Sequence, residues 1–95
     1  MEIEISIKTK AGYKRIKIKG SMPFEMYGHR FAAHRNYAFP ALWNVAELLT
    51  GCSVSREFQT RKMAVLMAKK TLETIGKADF KKYVANATQQ TGGRN

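Results

Sequence analysis

Between Trp43 and Ile75 the hydrophobic period of the chain changes from two to 3.6, and this change constrains the fold more than any other feature. Trp43 and Val45 alternate with Asn44 and Ala46; Thr50-Gly51 interrupts; Cys52 and Val54 then alternate with Ser53 and Ser55. Alternation on both sides of a glycine-containing break predicts two antiparallel strands joined by a turn. Further on the spacing is helical. Ala64, Val65, Ala68, Leu72 and Ile75 share one stripe, with Lys62, Lys69, Lys70 and Glu73 opposite. Thr60 has the hydroxyl of an N-cap, and Gly76 suits the residue that ends a helix. The two alanines in the stripe allow close approach, so the helix is expected to cover one face of a sheet.

The N-terminal third supplies more strand. Ile3, Ile5 and Ile7 alternate with Glu2, Glu4, Ser6 and Lys8, and Ile16 and Ile18 alternate with Arg15, Lys17 and Lys19. A two-residue turn at Ala11-Gly12 pairs Ile7 with Ile16 and Ile5 with Ile18. It sets Glu4 opposite Lys19 and Lys8 opposite Arg15. A slip of two residues also keeps every isoleucine on the inner face; a slip of one does not. Gly20 to Gly28, broken by Pro23, reads as an apolar connector across the core edge. Phe31 to Asn36 is a third strand with Phe31, Ala33 and Arg35 on one face, and Pro40 makes Tyr37–Leu42 a turn or an edge. Asp79 caps a short second helix in which Phe80, Tyr83, Val84 and Ala87 share a face. The expected fold is α+β: an antiparallel sheet of four or five strands, one main helix on one face and a short C-terminal helix. The expected core is Ile3, Ile5, Ile7, Ile16, Ile18, Trp43, Val45, Val54, Ala64, Val65, Ala68, Leu72 and Ile75. Residues 1–90 form one domain and 91–95 a flexible tail.

Charge decides which partners are plausible. Seventeen Lys and Arg stand against seven Asp and Glu, a net charge of +10. The excess lies at the two ends of the chain and spares residues 21–50. Such a surface attracts nucleic acid, a nucleoprotein complex or an acidic protein face. No apolar run approaches the ~20 residues of a membrane span, and Met1–Lys10 lacks the apolar segment of a signal peptide. With one cysteine there is no internal disulfide, and a cytoplasmic location is expected.

No constellation for catalysis assembles. His29 and His34 are the only histidines and each is followed by arginine, so they are assigned to phosphate contact or the plain surface rather than to a metal. Cys52 is expected to be a small buried residue of its strand. Glu2 and Glu4 face lysines, and Glu47 and Glu57 stand alone. The expectation is a chain that is not an enzyme, with no cofactor, no metal and no small-molecule substrate. Two basic sets remain. Lys8, Lys10, Lys14, Arg15, Lys17 and Lys19 crowd the first hairpin with Tyr13 at its tip. Arg56, Arg61, Lys62, Lys69 and Lys70 flank the helix start and its outer face. A two-stranded ribbon fits a DNA groove, and a helix start adds positive potential. The same lysines also serve as a solvated face that blocks edge pairing. Leu66 falls among the helix lysines with Met63 and Met67 beside it. Either these three form a protein-docking patch, or the 79–87 helix or the 22–40 connector covers them.

The run Trp43-x-Val45, Thr50-Gly51, Phe58-Gln59-Thr60, Ala64 and Ala68 resembles the plant APETALA-type domain and the arm-binding domains of phage integrases. The resemblance covers about residues 43–70. It implies a three-stranded sheet backed by one helix that reads DNA through the sheet. The outward positions here, Asn44, Ala46, Ser53 and Ser55, include no arginine, so the DNA-reading residues of those families have no counterpart. The first reading is therefore a nucleic-acid-binding module that contacts phosphates through the 8–19 hairpin and the 61–70 helix face. The alternative, by likeness in size to small phage proteins such as anti-CRISPR proteins, is an inhibitor of a host defence complex, or an adaptor, docking through Met63, Leu66 and Met67.

Overall fold

The computed structural model describes residues 1–91, with side chains through residue 88. Five strands follow one another in an antiparallel meander: β1 (Glu2–Thr9), β2 (Gly12–Met26), β3 (His29–Arg35), β4 (Trp43–Glu47) and β5 (Ser53–Phe58). Two helices complete the α+β fold, α1 (Arg61–Ile75) and α2 (Lys77–Thr91). Thr91 ends α2, and the rest of the expected tail, 92–95, lies outside the described residues. Thr60 caps α1 by accepting from the Met63 N–H at 3.1 Å, and Gly76 ends it at φ 83°.

The expected connector at 20–28 is the second half of a 15-residue strand. β2 pairs with β1 over Gly12–Lys19 and with β3 from Gly20 to Met26. Pro23 fits because the pairing shifts between Ser21 and Phe24, and a bulge tolerates a residue without an N–H. The strand changes sheets at Gly20, where a Cβ would lie 2.8 Å from Ile3 Cγ2. There the β1–β2 hairpin folds back over the sheet.

The result is two cores rather than the single one expected. On one face α1 packs Ala64, Val65, Ala68 and Leu72 against Phe31, Ala33 and Val45, and Phe80 and Val84 of α2 join them. On the other face Ile3 and Ile5 cover Ala32 and Ala46, with Ile7, Ile16, Ile18 and Leu48 around them. The isoleucines therefore never meet the helix stripe. Ile75 is exposed, contrary to expectation, because Gly76 turns the chain and Phe80 fills the core beyond Leu72. Tyr83 is also exposed, while Phe80, Val84 and Ala87 are buried. Trp43 and Val54 are half-buried.

The hairpin takes the two-residue slip. Ile5 pairs with Ile16, Ile3 with Ile18, Glu4 with Lys17 and Lys8 with Tyr13. The turn is Lys10-Ala11, closed by Thr9, whose hydroxyl donates to the Gly12 carbonyl at 2.8 Å, and Gly12 takes the positive φ. The slip puts Ser6 opposite Arg15, and both reach the 48–52 loop between β4 and β5. Ser6 N–H donates to the Gly51 carbonyl at 2.9 Å, Ser6 Oγ to the Thr50 carbonyl, and Arg15 Nη1 to the Leu49 carbonyl at 3.1 Å. The expected register would have set Ser6 opposite Lys17 and lost this joint grip.

Glu47 shapes that loop, and it does not stand alone. Its buried carboxylate accepts from Leu49 N–H at 2.6 Å, Thr50 N–H at 2.9 Å and Thr50 Oγ1 at 2.8 Å, and His29 Nδ1 lies 3.3 Å away. Glu47→Ala should lower unfolding free energy by about 3 kcal/mol or more, since two amides lose their acceptor at about 1–3 kcal/mol each. Glu47→Gln, which keeps one oxygen, should cost less; urea titration of both variants checks the order. Gly51 tests the same joint. It sits at φ 73° with a Cβ position 2.6 Å from Ser6 N and 2.8 Å from Ile5 Cα. Gly51→Ala should therefore cost well over the ~1–2 kcal/mol of a left-handed alanine. Gly12→Ala, at φ 112° but with nothing within 4 Å, should cost backbone strain alone and less than Gly51→Ala.

Candidate nucleic-acid interface

The folded-back hairpin leaves a cleft of about 620 Å³ between its turn end and the sheet. Ile7, Lys8 and Tyr13 wall it from above, His34, Asn44 and Ser53 lie on the sheet side, and Arg56, Tyr37 and Tyr83 stand around it. One member of the second basic set, Arg56, thus joins Lys8 and Tyr13 of the first. Lys10, Lys14, Lys17 and Lys19 are exposed along the same hairpin.

The other cations go elsewhere. Arg15 is half-buried against Leu49 and lies 3.8 Å from Glu4, so it latches the hairpin rather than presenting a charge. Arg61 lies over the Trp43 ring at 5.3 Å and donates to Ser21 Oγ, and Arg35 lies over the same ring at 4.6 Å. Lys69 sits 5.1 Å from the Phe24 ring. Lys62 and Lys70 are exposed. Because α1 and the hairpin cover opposite faces of the sheet, the 61–70 set and the 8–19 set do not form one surface. Neither α2 nor the 22–40 segment covers the apolar group on α1: Leu66 is 50% exposed and Met63 45%, with Met67 half-buried.

A hydrogen-bond network fixes the cleft floor. Asn44 Oδ1 accepts from Asn36 Nδ2 at 3.2 Å and from the Glu57 N–H at 3.0 Å, and Asn44 Nδ2 donates to Ser53 Oγ at 3.4 Å. Asn36 Oδ1 accepts from the Ala38 and Phe39 amides, which shapes the loop carrying Tyr37. An asparagine inside a buried strand is the signal that could have found this floor, because strands disfavour Asn without a specific partner.

Neither histidine is a plain surface residue. His29 is half-buried beside Glu47, edge-on to Phe80 at 5.2 Å. His34 is 1% exposed. Its Nδ1–H donates to the Arg35 carbonyl at 2.8 Å, which leaves Nε2 as the acceptor nitrogen, without a protein partner. Burial pushes its pKa below 6.5 and outweighs the opposing hydrogen bond. Cys52 is half-buried just before β5 rather than within a strand. Among the described residues no three His, Cys, Asp or Glu side chains are grouped to hold a metal, and no helix is long and apolar enough to cross a membrane.

Comparison with protein-family models, curated proteins and solved structures finds no match to this chain.

The lowered His34 pKa has a sign that can be checked. The unfolded chain binds this proton at about pH 6.5, whereas the native state refuses it until a lower pH. The contribution is thus fully present above pH 6.5 and is lost as pH falls below it, levelling once the folded pKa is passed. Urea midpoints measured from pH 7.5 to 5 should fall more steeply for the native sequence than for His34→Gln, which has no proton to gain.

Proposed function

We propose that this chain is a non-catalytic nucleic-acid-binding module whose contact surface is the basic hairpin and the mouth of the cleft beneath it. The carrying observation is the convergence of Lys8 and Arg56 with three exposed tyrosines, Tyr13, Tyr37 and Tyr83 (45, 61 and 58% exposed), around one cleft. The net charge of +10 supports the same reading. Cations track a phosphate backbone, and aromatic rings offer faces on which unpaired bases stack. Duplexes keep their bases stacked internally, so the tyrosines favour a single strand. Lys10, Lys14, Lys17 and Lys19 extend the cationic track along the hairpin. Lys62 and Lys70, on the opposite layer, add long-range attraction without touching the same strand.

Fluorescence anisotropy with labelled oligonucleotides tests this. Affinity for a single strand should exceed that for the duplex of the same sequence, and should fall linearly in log[salt] with a slope of about −0.7 per phosphate neutralised. The double variant Lys8→Glu, Arg56→Glu should reduce that slope by about 1.4, and Tyr13→Ala should cost about 1–3 kcal/mol at every salt concentration. Absence of binding at low salt, or equal affinity for duplex and single strand, would overturn the reading.

A second reading rests on the exposure of Met63, Leu66 and Met67 on α1. Apolar side chains with flexible methionines suit a protein partner, and the flanking Lys62, Lys69 and Lys70 suit an acidic one. This is the surface an inhibitor of a host defence complex, or an adaptor, would use. A partner that stays bound after nuclease treatment and is lost with Leu66→Glu would establish it.

A further inference from the structure

We infer that the recess floored by His34 accepts one unstacked nucleobase, whose edge donates an N–H to His34 Nε2 while its phosphate rests between Lys8 and Arg56. The inference rests on the nucleic-acid reading above and names what the cleft would do within it. Its starting point is an unmatched acceptor. His34 is almost wholly buried, its other ring nitrogen is committed to the Arg35 carbonyl, and among the described residues no atom bonds Nε2. Native interiors rarely leave such a group unpaired, because an unsatisfied buried acceptor costs about 1–3 kcal/mol. The neighbouring polar groups do not supply the donor in this arrangement. Asn44 Nδ2 directs one N–H to Ser53 Oγ, Asn36 Nδ2 directs one to Asn44 Oδ1, and no bond from either amide reaches Nε2 among the described residues. Ser53 Oγ accepts from Asn44, so its O–H remains able to donate outward.

His34 and Ser53 both line the recess. Nε2 is covered in the unbound chain, so a base reaches it by displacing the side chains that cover it, and the Ser53 O–H supplies a donor. Tyr13, Tyr37 and Tyr83 line the recess together with Lys8, Arg56 and the acidic Glu57. A nucleobase answers each part. It is flat, it carries N–H donors beside acceptors on its Watson–Crick edge, it stacks on tyrosine, and it arrives attached to a phosphate. An acidic peptide would satisfy the cations and a phosphate ion could donate its P–O–H, but neither brings an aromatic face to stack on the tyrosines. The base could come from an unpaired position in a strand or from a free nucleotide; the chemistry at His34 is the same.

The test uses the full chain with 15N-labelled histidine. Addition of a single-stranded oligonucleotide should move the His34 Nε2 resonance in the direction of an accepted hydrogen bond and leave Nδ1 nearly still. An oligonucleotide of the same length made entirely of abasic sites should bind about tenfold more weakly and leave Nε2 unmoved, since one hydrogen bond of roughly 1 kcal/mol and one stacking contact are lost. His34→Leu should erase the preference for the base-bearing strand while retaining binding to the abasic one. Where that variant does not fold, the resonance shift on the native protein decides alone. A nucleoside monophosphate that moves Nε2 and binds as tightly as the strand supports the recess and assigns its occupant to a free nucleotide. Binding of base-bearing and abasic strands with equal affinity and an unmoved Nε2 overturns the recess but leaves the nucleic-acid reading intact. Failure of every strand to bind overturns both.

Discussion

The buried carboxylate of Glu47 holds the loop on which the rest of the architecture hangs. The five-residue loop 48–52 after β4 has several conformations available, and the one observed turns the Leu49, Thr50 and Gly51 carbonyls toward the hairpin. Glu47 selects it by accepting from the amides of Leu49 and Thr50 and from the Thr50 hydroxyl. Ser6 and Arg15 then bond to the three carbonyls. Without these bonds, the isoleucine face of β1 and β2 would have only apolar contact to hold it, and apolar contact fixes area rather than register.

Two-sided burial follows from that docking. β3 is buried at four consecutive positions, Phe31 to His34, and β4 at Asn44 to Glu47. An antiparallel sheet usually keeps one wet face and reads as alternation; this one is covered by helices on one side and by its own N-terminal hairpin on the other. The side-chain sizes suit the two jobs. Phe31 and Val45 fill the helix side, whereas Ala32 and Ala46 on the hairpin side are small enough for the isoleucines to sit close.

Much of this was legible in the residues, for definite reasons. The α1 stripe, its Thr60 cap and its Gly76 stop are local, so periodicity and cap chemistry found them. The isoleucine alternation located β1 and the first part of β2. The hairpin register was not legible, because two registers bury the same isoleucines and the choice between them depends on Ser6 and Arg15 meeting a loop more than 30 residues away, as from Arg15 to Leu49. The second half of β2 was hidden by Pro23, which a bulge absorbs. The two-sided sheet was hidden by alanines, which look equally at home on either face. Of the candidate site, Lys8, Tyr13 and Arg56 were visible as types, but their meeting was not. His34 read as a surface histidine because nothing local says that a hairpin folds over it.

The cleft is a geometric remainder of these constraints. The hairpin is tied down at its open end, where Met1 and Gly20 exchange backbone hydrogen bonds, and midway, at Ser6. Beyond Ser6 no further hydrogen bond joins it to the sheet among the described residues, and its turn end stands over the cleft. Along β3 and β4 the inward pair Ala32 and Ala46 lies under the isoleucines, while the next inward pair, His34 and Asn44, lies at the cleft. Composition follows the same boundary. Where the hairpin is pressed to the sheet its inner face is isoleucine; where it overhangs, Lys14 takes the place opposite Ile7 and polar groups replace alanine on the floor. Beneath the overhang the floor holds a buried histidine whose Nε2 has no partner among the described residues and an asparagine pair bonded to each other. The unpaired Nε2 costs stability where it is, whereas the asparagines offset their burial through bonds to each other, to Ser53 and to the Glu57 amide.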